Sequence, residues 1–185
     1  MVFGHFAVGL AIRARYRKVP FLLILISVQL LDWIWLVLSL LGVESYQVIH
    51  SPRGGLHVNF TSVPYSHSLF WSAFYSLIVF LLFVRAEGQT HWAFPLALGV
   101  FSHWILDWIV IDEGLPFANF GAERIFGLGL ANRSAFAEFA FELGIVLTCW
   151  WYYYKSGISQ KARRWPVWIM LAIMVVGLLS IYLVQ

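Results

Sequence analysis

The chain has 185 residues, 61% of them hydrophobic, 18% aromatic and only 11% charged, with a formal net charge of +3. A soluble domain runs near 45–50% apolar and about 25% charged, so the composition reads as an integral membrane protein. One cysteine, Cys149, excludes a disulfide framework and a cysteine-based zinc site, and basic residues that flank apolar stretches exclude a nucleic-acid patch.

The first segment, MVFGHFAVGLAI over residues 1–12, is apolar but too short to cross a bilayer. As a helix it rises about 18 Å, roughly to mid-membrane, and carries His5. Five stretches then reach the roughly 20 residues that a span requires. They are 20–42, with Asp32 at its centre; 67–84, opening on His67; 92–111, carrying His103 and Asp107; 136–154, carrying Glu138 and Glu142; and 165–184. The first starts late, holds an aspartate and lacks a small-residue cleavage site, which separates it from a signal peptide. The expected fold is an all-α integral membrane protein: one domain over 1–185, with about five transmembrane helices plus a short N-terminal half-membrane helix.

Two connections, 43–66 and 112–134, are longer than a connector needs and are expected to be loops on one side of the membrane. They hold His50, Arg53, His57, Glu113, Glu123, Arg124 and Arg133. With Arg13, Arg15, Arg17 and Lys18 inside, Arg85, Lys155, Lys161, Arg163 and Arg164 also fall inside, leaving Arg53, Arg124 and Arg133 outside. That is the positive-inside bias, and Trp92, Trp150, Trp151, Tyr152, Tyr153, Tyr154 and Trp165 supply an aromatic belt at the inner interface. The expected location is a bacterial inner (plasma) membrane, multi-pass, with the site facing outward.

His103 and Asp107 are four apart in the helical stretch GVFSHWILDWIVI, so they share a face. An ionisable side chain inside a bilayer costs at least about 2.5 kcal/mol and needs partners. Helical rise brings His5, Asp32, His67, His103 and Asp107 to the middle-to-outer part of the membrane. No Arg or Lys lies inside a span to pair with Asp32 or Asp107. Two carboxylates and three imidazoles suit zinc, iron or manganese. The same residue types also serve a proton relay, and a single histidine or aspartate also serves as an interhelical hydrogen-bonding group.

The repeated pairs Asp32-Trp33, His103-Trp104 and Asp107-Trp108 place an indole beside each ionisable group, where it could exclude water or donate a hydrogen bond. Glu138 and Glu142 form another i, i+4 pair and are possible additions to the site. Asp112 and Glu113 read as interfacial charges. The NFT at Asn59 and NRS at Asn132 fit a glycosylation pattern that is frequent by chance.

The order of GHFAVGL around His5, QLLDWIW around Asp32, GVE at 42–44, PYSHSL at 64–69, SHWILD at 102–107 and GLGL at 127–130 resembles the YdjM-like, LexA-regulated group of bacterial inner-membrane metal-dependent hydrolases. The ligand order is also similar to zinc-dependent phospholipase C. The resemblance implies that Asp32, His67, His103 and Asp107 hold one metal, with His5 joining a bridging Asp107 at a second. No histidine follows His103, and Ile111 stands where the group is expected to have another, which limits the site to one or two ions.

The function expected from residues and resemblance together is metal-dependent hydrolysis of a phosphoester or other amphipathic lipid substrate. One or two zinc-like ions would acidify a bound water. Asp32 or Asp107 could also take a proton, and Arg53, Arg124 or Arg133 would meet a phosphate. The expected partner is membrane lipid, without nucleic acid. A proton- or metal-coupled transporter, or a non-catalytic membrane protein with a structural metal site, uses the same residues. Substrate and oligomeric state are not legible.

Overall fold

The computed structural model describes residues 1, 3–50, 56–111, 115–118, 127–130, 134–157 and 165–183. The elements run α1 (Phe3–Arg15), α2 (Phe21–Val28), α3 (Leu30–Leu40), β1 (Ser45–His50), β2 (Leu56–Ser62), α4 (Leu69–Val84), α5 (Thr90–Val110), α6 (Ala135–Lys155) and α7 (Trp165–Leu183). Helix α5 is the central element, packing on α1, α2, α3 and α4, while α6 packs on α1 and α7.

Small residues let α5 take that position. Ala93, Ala97 and Gly99 are buried on it, and a Cβ built on Gly99 would stand 2.3 Å from Ser27 Oγ of α2. The two backbones therefore approach as closely as glycine permits. Apolar clusters surround this contact: Ile12, Val19, Ile24, Val28 and Leu96 on one side, and Leu31, Val100, Trp104 and Leu115 on the other. Ser68 and Ser134 cap α4 and α6 by accepting from the Trp71 and Ala137 amides at 3.4 and 3.3 Å.

The five-span bundle expected from composition is not supported. Among the described residues one helix, Thr90–Val110, is long and apolar enough to cross a membrane, or two if the bent pair α2–α3 is one span. The stretch 20–42 is two helices that meet at Gln29 with a 53° bend. Helix α4 begins only at Leu69, and its 16 residues rise about 24 Å, short of the roughly 30 Å hydrocarbon core. Helix α6 is 21 residues long, but Glu138, Glu142, Lys155 and the aromatic run 150–154 dilute its aliphatic content. Helix α5 itself is the core, with 61% of its apolar window buried inside the protein.

The connection 43–66 is likewise not a plain loop. It folds into an antiparallel hairpin in which Tyr46 pairs with Phe60 and Ile49 with His57, with an irregularity at Ser45/Tyr46.

The surface carries apolar stripes at helical spacing. Phe70, Phe74, Leu77, Ile78 and Leu81 are exposed along α4, and Trp33, Leu36, Val37 and Leu40 along α3. At the C-terminal end of α1, Arg15 and Arg17 join Tyr152, Lys155 and Ser156 around an open cavity of about 310 Å³. Three of the basic residues that the sequence places on one side, Arg15, Arg17 and Lys155, thus stand at one end of α1, about 15 Å of helical rise from His5.

Candidate metal centre

Five side chains converge: His5 of α1, Asp32 of α3, His67 just before α4, and His103 with Asp107 of α5. Asp32 Oδ1 lies 3.5 Å from His67 Nε2 and 3.4 Å from His103 Nε2. Asp107 Oδ2 lies 3.5 and 3.2 Å from the same two nitrogens. Neighbouring ligands about 2.1 Å from a shared divalent ion stand about 3.4 Å apart, and each of these four His–Asp distances is in that range. The other oxygen of Asp107, Oδ1, faces His5 Nε2 at 3.3 Å. Asp107 thereby directs one oxygen to each side, the arrangement of a bridging carboxylate.

The His5 and His103 rings stack flat, with centroids 3.8 Å apart and planes 3° from parallel. Two sets, His5/His103/Asp107 and Asp32/His67/His103, each bring their ligand atoms within 4.8 Å and could hold a metal ion. His103 belongs to both, but it has one ligand atom to offer. Its Nδ1 lies 2.7 Å from the Val28 carbonyl. A carbonyl only accepts, so Nδ1 carries a proton, and in the neutral imidazole Nε2 is the nitrogen that presents a lone pair to the cluster. The break at Gln29 ends α2 where Val28 meets α5, and the Gln29 side chain donates to Asp32 Oδ2 at 3.3 Å. One helix break thus positions two members of the cluster.

Buried nitrogen atoms test whether a cation fits. Nε2 of His5 and of His103 have no hydrogen-bond partner among the described residues, although each lies against a carboxylate. A buried polar atom left in that state is costly in the absence of a ligand. Donor types, spacing and these atoms all fit a divalent ion.

His5, His67, His103 and Asp107 are almost wholly enclosed, whereas the Asp32 side chain is 37% exposed. Asp32 is the one member of the five with a substantially exposed side chain. Asp107 also has a cationic neighbour that the sequence reading did not expect: the Met1 amino group stands 3.5 Å from Oδ1.

Other residues take different places from those expected. Glu142 is buried but is not a member of either ligand set; its Oε1 accepts from the Phe3 and Gly4 amides at 2.8 and 3.0 Å. It caps the start of α1, two residues ahead of His5. Glu138 sits in the first turn of α6 and is likewise in neither set. Arg53, Arg124 and Arg133 lie outside the described residues. Of the three indoles, Trp104 donates to the His67 carbonyl at 3.1 Å and Trp108 stacks on Trp104, but Trp33 is 57% exposed.

Gln29, Glu44 and Ser66 support the site; they lie in the motifs QLLDWIW, GVE and PYSHSL, but residue spacing gives none of them a role. Glu44 is buried just before β1 and accepts from the Tyr65 and Ser66 amides and from the Ser66 hydroxyl. The hairpin brings these residues together across the sequence, which no local spacing reveals.

What fold and cluster define is a class: a predominantly helical protein with buried His/Asp groups that could hold a metal ion. No protein-family model, curated protein or solved structure matches the chain.

Proposed function

We propose that the chain is a membrane-embedded metal-dependent hydrolase acting on a phosphoester or other amphipathic substrate, with zinc as the ion. The observation that carries this reading is the convergence of Asp32, His67, His103 and Asp107, with four His–Asp distances of 3.2–3.5 Å, and His5 on the far oxygen of Asp107. A divalent ion held there supplies Lewis acidity, acidifying water and polarising the scissile group. The two carboxylates balance its charge. The stacked His5 and His103 rings and the buried His67 hold their nitrogens in place, and Trp104 with Leu31 and Val100 keeps bulk water from that side. Asp32 stands at the open rim with one oxygen turned to the imidazoles and the other held by Gln29. From there it can accept a proton from entering water.

A structural zinc site is normally closed by four protein ligands, and Asp32, His67, His103 and Asp107 number four; the 37% exposure of the Asp32 side chain is what favours the catalytic alternative. The resemblance of the motif order to the inner-membrane hydrolases supports the same class. Exposed apolar stripes on α3 and α4 support a lipid setting, since soluble proteins rarely present such continuous apolar surface. The basic end of α1, opposite His5, supports a cluster toward the outer side.

Metal analysis of the purified protein beside His67→Ala and Asp107→Ala tests the reading. Stoichiometric zinc in wild type and its loss from both variants is the expected result; equal, negligible metal in all three would sink it. A panel of phospholipids and simple phosphoesters then separates catalysis from a structural ion: zinc-loaded protein that turns over none of them removes the hydrolase assignment.

A further inference from the structure

Glu44 lies 22 positions before Ser66 in the chain, and the β1–β2 hairpin closes that distance by pairing Ser45 with Ser62. All three residues of the resulting chain, Glu44, Ser66 and His67, are buried. Glu44 Oε1 accepts the Tyr65 and Ser66 amides at 2.8 and 2.9 Å, and Oε2 lies 2.6 Å from Ser66 Oγ. On its other side Ser66 Oγ lies 2.8 Å from His67 Nδ1.

We infer that Glu44 is the positioning residue for His67: through the Ser66 hydroxyl it fixes the imidazole tautomer that presents Nε2 to the cluster. Proton counting carries the assignment. The hydroxyl has a single proton, and the carboxylate offers only lone pairs. Ser66 therefore donates to Glu44, and its oxygen is left as an acceptor. In the neutral imidazole Nδ1 of His67 must then be the protonated nitrogen, and Nε2, facing Asp32 and Asp107, carries the lone pair. His103 is set the same way by the Val28 carbonyl. Both imidazoles of the quartet are thus held in one tautomer by unrelated devices, a backbone carbonyl and a carboxylate–hydroxyl relay. Partners of this kind orient a metal-binding histidine and raise its basicity. The consequence for metal rests on the metal-dependent reading above; the tautomer itself does not.

Glu44→Gln is the discriminating substitution because it keeps the shape. The Oε1 position must remain an oxygen to accept two amides, so the new NH₂ group replaces Oε2 and donates to Ser66 Oγ. The hydroxyl proton then turns toward His67 Nδ1, and the ring proton moves to Nε2, where it blocks ligation. Histidine ¹⁵N shifts in the metal-free protein are expected to show His67 protonated at Nδ1 in wild type and at Nε2 in Glu44→Gln. Zinc affinity of the folded variant is expected to fall about 10–100-fold. Ser66→Ala keeps both amide bonds to Glu44 and removes only the relay, so it tests the inference even if Glu44→Gln does not fold. It is expected to leave His67 a mixture of tautomers with weakened zinc binding. Wild-type tautomer in either folded variant overturns the inference. Wild-type protein that binds no zinc while the tautomer still switches defeats the metal reading alone.

Discussion

His103 of α5 donates from Nδ1 to the carbonyl of Val28, the last residue of α2, at 2.7 Å. That bond joins the central helix to the helix break and turns Nε2 toward both aspartates. It exists because Gly99, one turn earlier on α5, lets α2 come close.

Gly99→Ala is therefore expected to damage the site from a distance. Its methyl would stand 2.3 Å from Ser27 Oγ and 3.2 Å from Ser27 Cβ. Overpacking of this kind costs about 1–3 kcal/mol, and separation of the helices stretches the His103–Val28 bond. Thermal unfolding and zinc titration should both report the change, and Ser27→Ala added to Gly99→Ala should recover part of each. A single variant as stable and as tightly bound as wild type would show that the helices have room to spare.

The two faces of Asp107 predict unequal effects among the histidines. His5 meets only Oδ1, while His103 belongs to the quartet around Oδ2 and Asp32. His5→Ala is expected to retain at least one zinc per chain, and His103→Ala to retain none. Atomic absorption on the folded variants decides it; complete loss of metal from His5→Ala contradicts a quartet that stands without His5.

Glu142 should behave as a cap and not as a ligand. Glu142→Ala leaves the Phe3 and Gly4 amides without their acceptor in a buried place, which costs about 1–3 kcal/mol. A lowered melting temperature with zinc stoichiometry preserved is the expected pair of results. Glu142→Gln keeps an amide oxygen and should lose less. Loss of zinc from Glu142→Gln with the fold intact would make Glu142 part of the metal shell.

The exposed stripe on α4 gives a test of the lipid setting. Leu77 is 52% exposed on that stripe. Facing hydrocarbon, Leu77→Arg is expected to cost about 2.5–3.5 kcal/mol and to reduce the fraction retained in membranes after alkaline washing. Facing water, the same change would be near neutral and would improve solubility, which would remove the membrane proposal.

Hydropathy read from composition located helices but not their number of crossings. It merged α2 and α3 because the apolar run continues through Gln29, where the backbone does not. It started the next helix at His67, yet Ser68 caps a helix that begins at Leu69. It also treated Glu142 as a possible site residue because depth along a helix says nothing about which neighbour a carboxylate meets.

What the sequence determined by itself was the chemistry: a chain poor in charge that nevertheless spends two aspartates and three histidines within apolar surroundings, two of them on one helix face. Local periodicity suffices for that, since i and i+4 on a helix are neighbours whatever the fold. The tertiary structure alone decided how those residues face one another. Asp107 divides its oxygens between two sides, Val28 and the Glu44–Ser66 pair hold two imidazoles, and Asp32 is left at the opening. These relations join residues 22, 40 or 75 positions apart, and only the pairing of β1 with β2 and the packing of α5 against its neighbours bring them together.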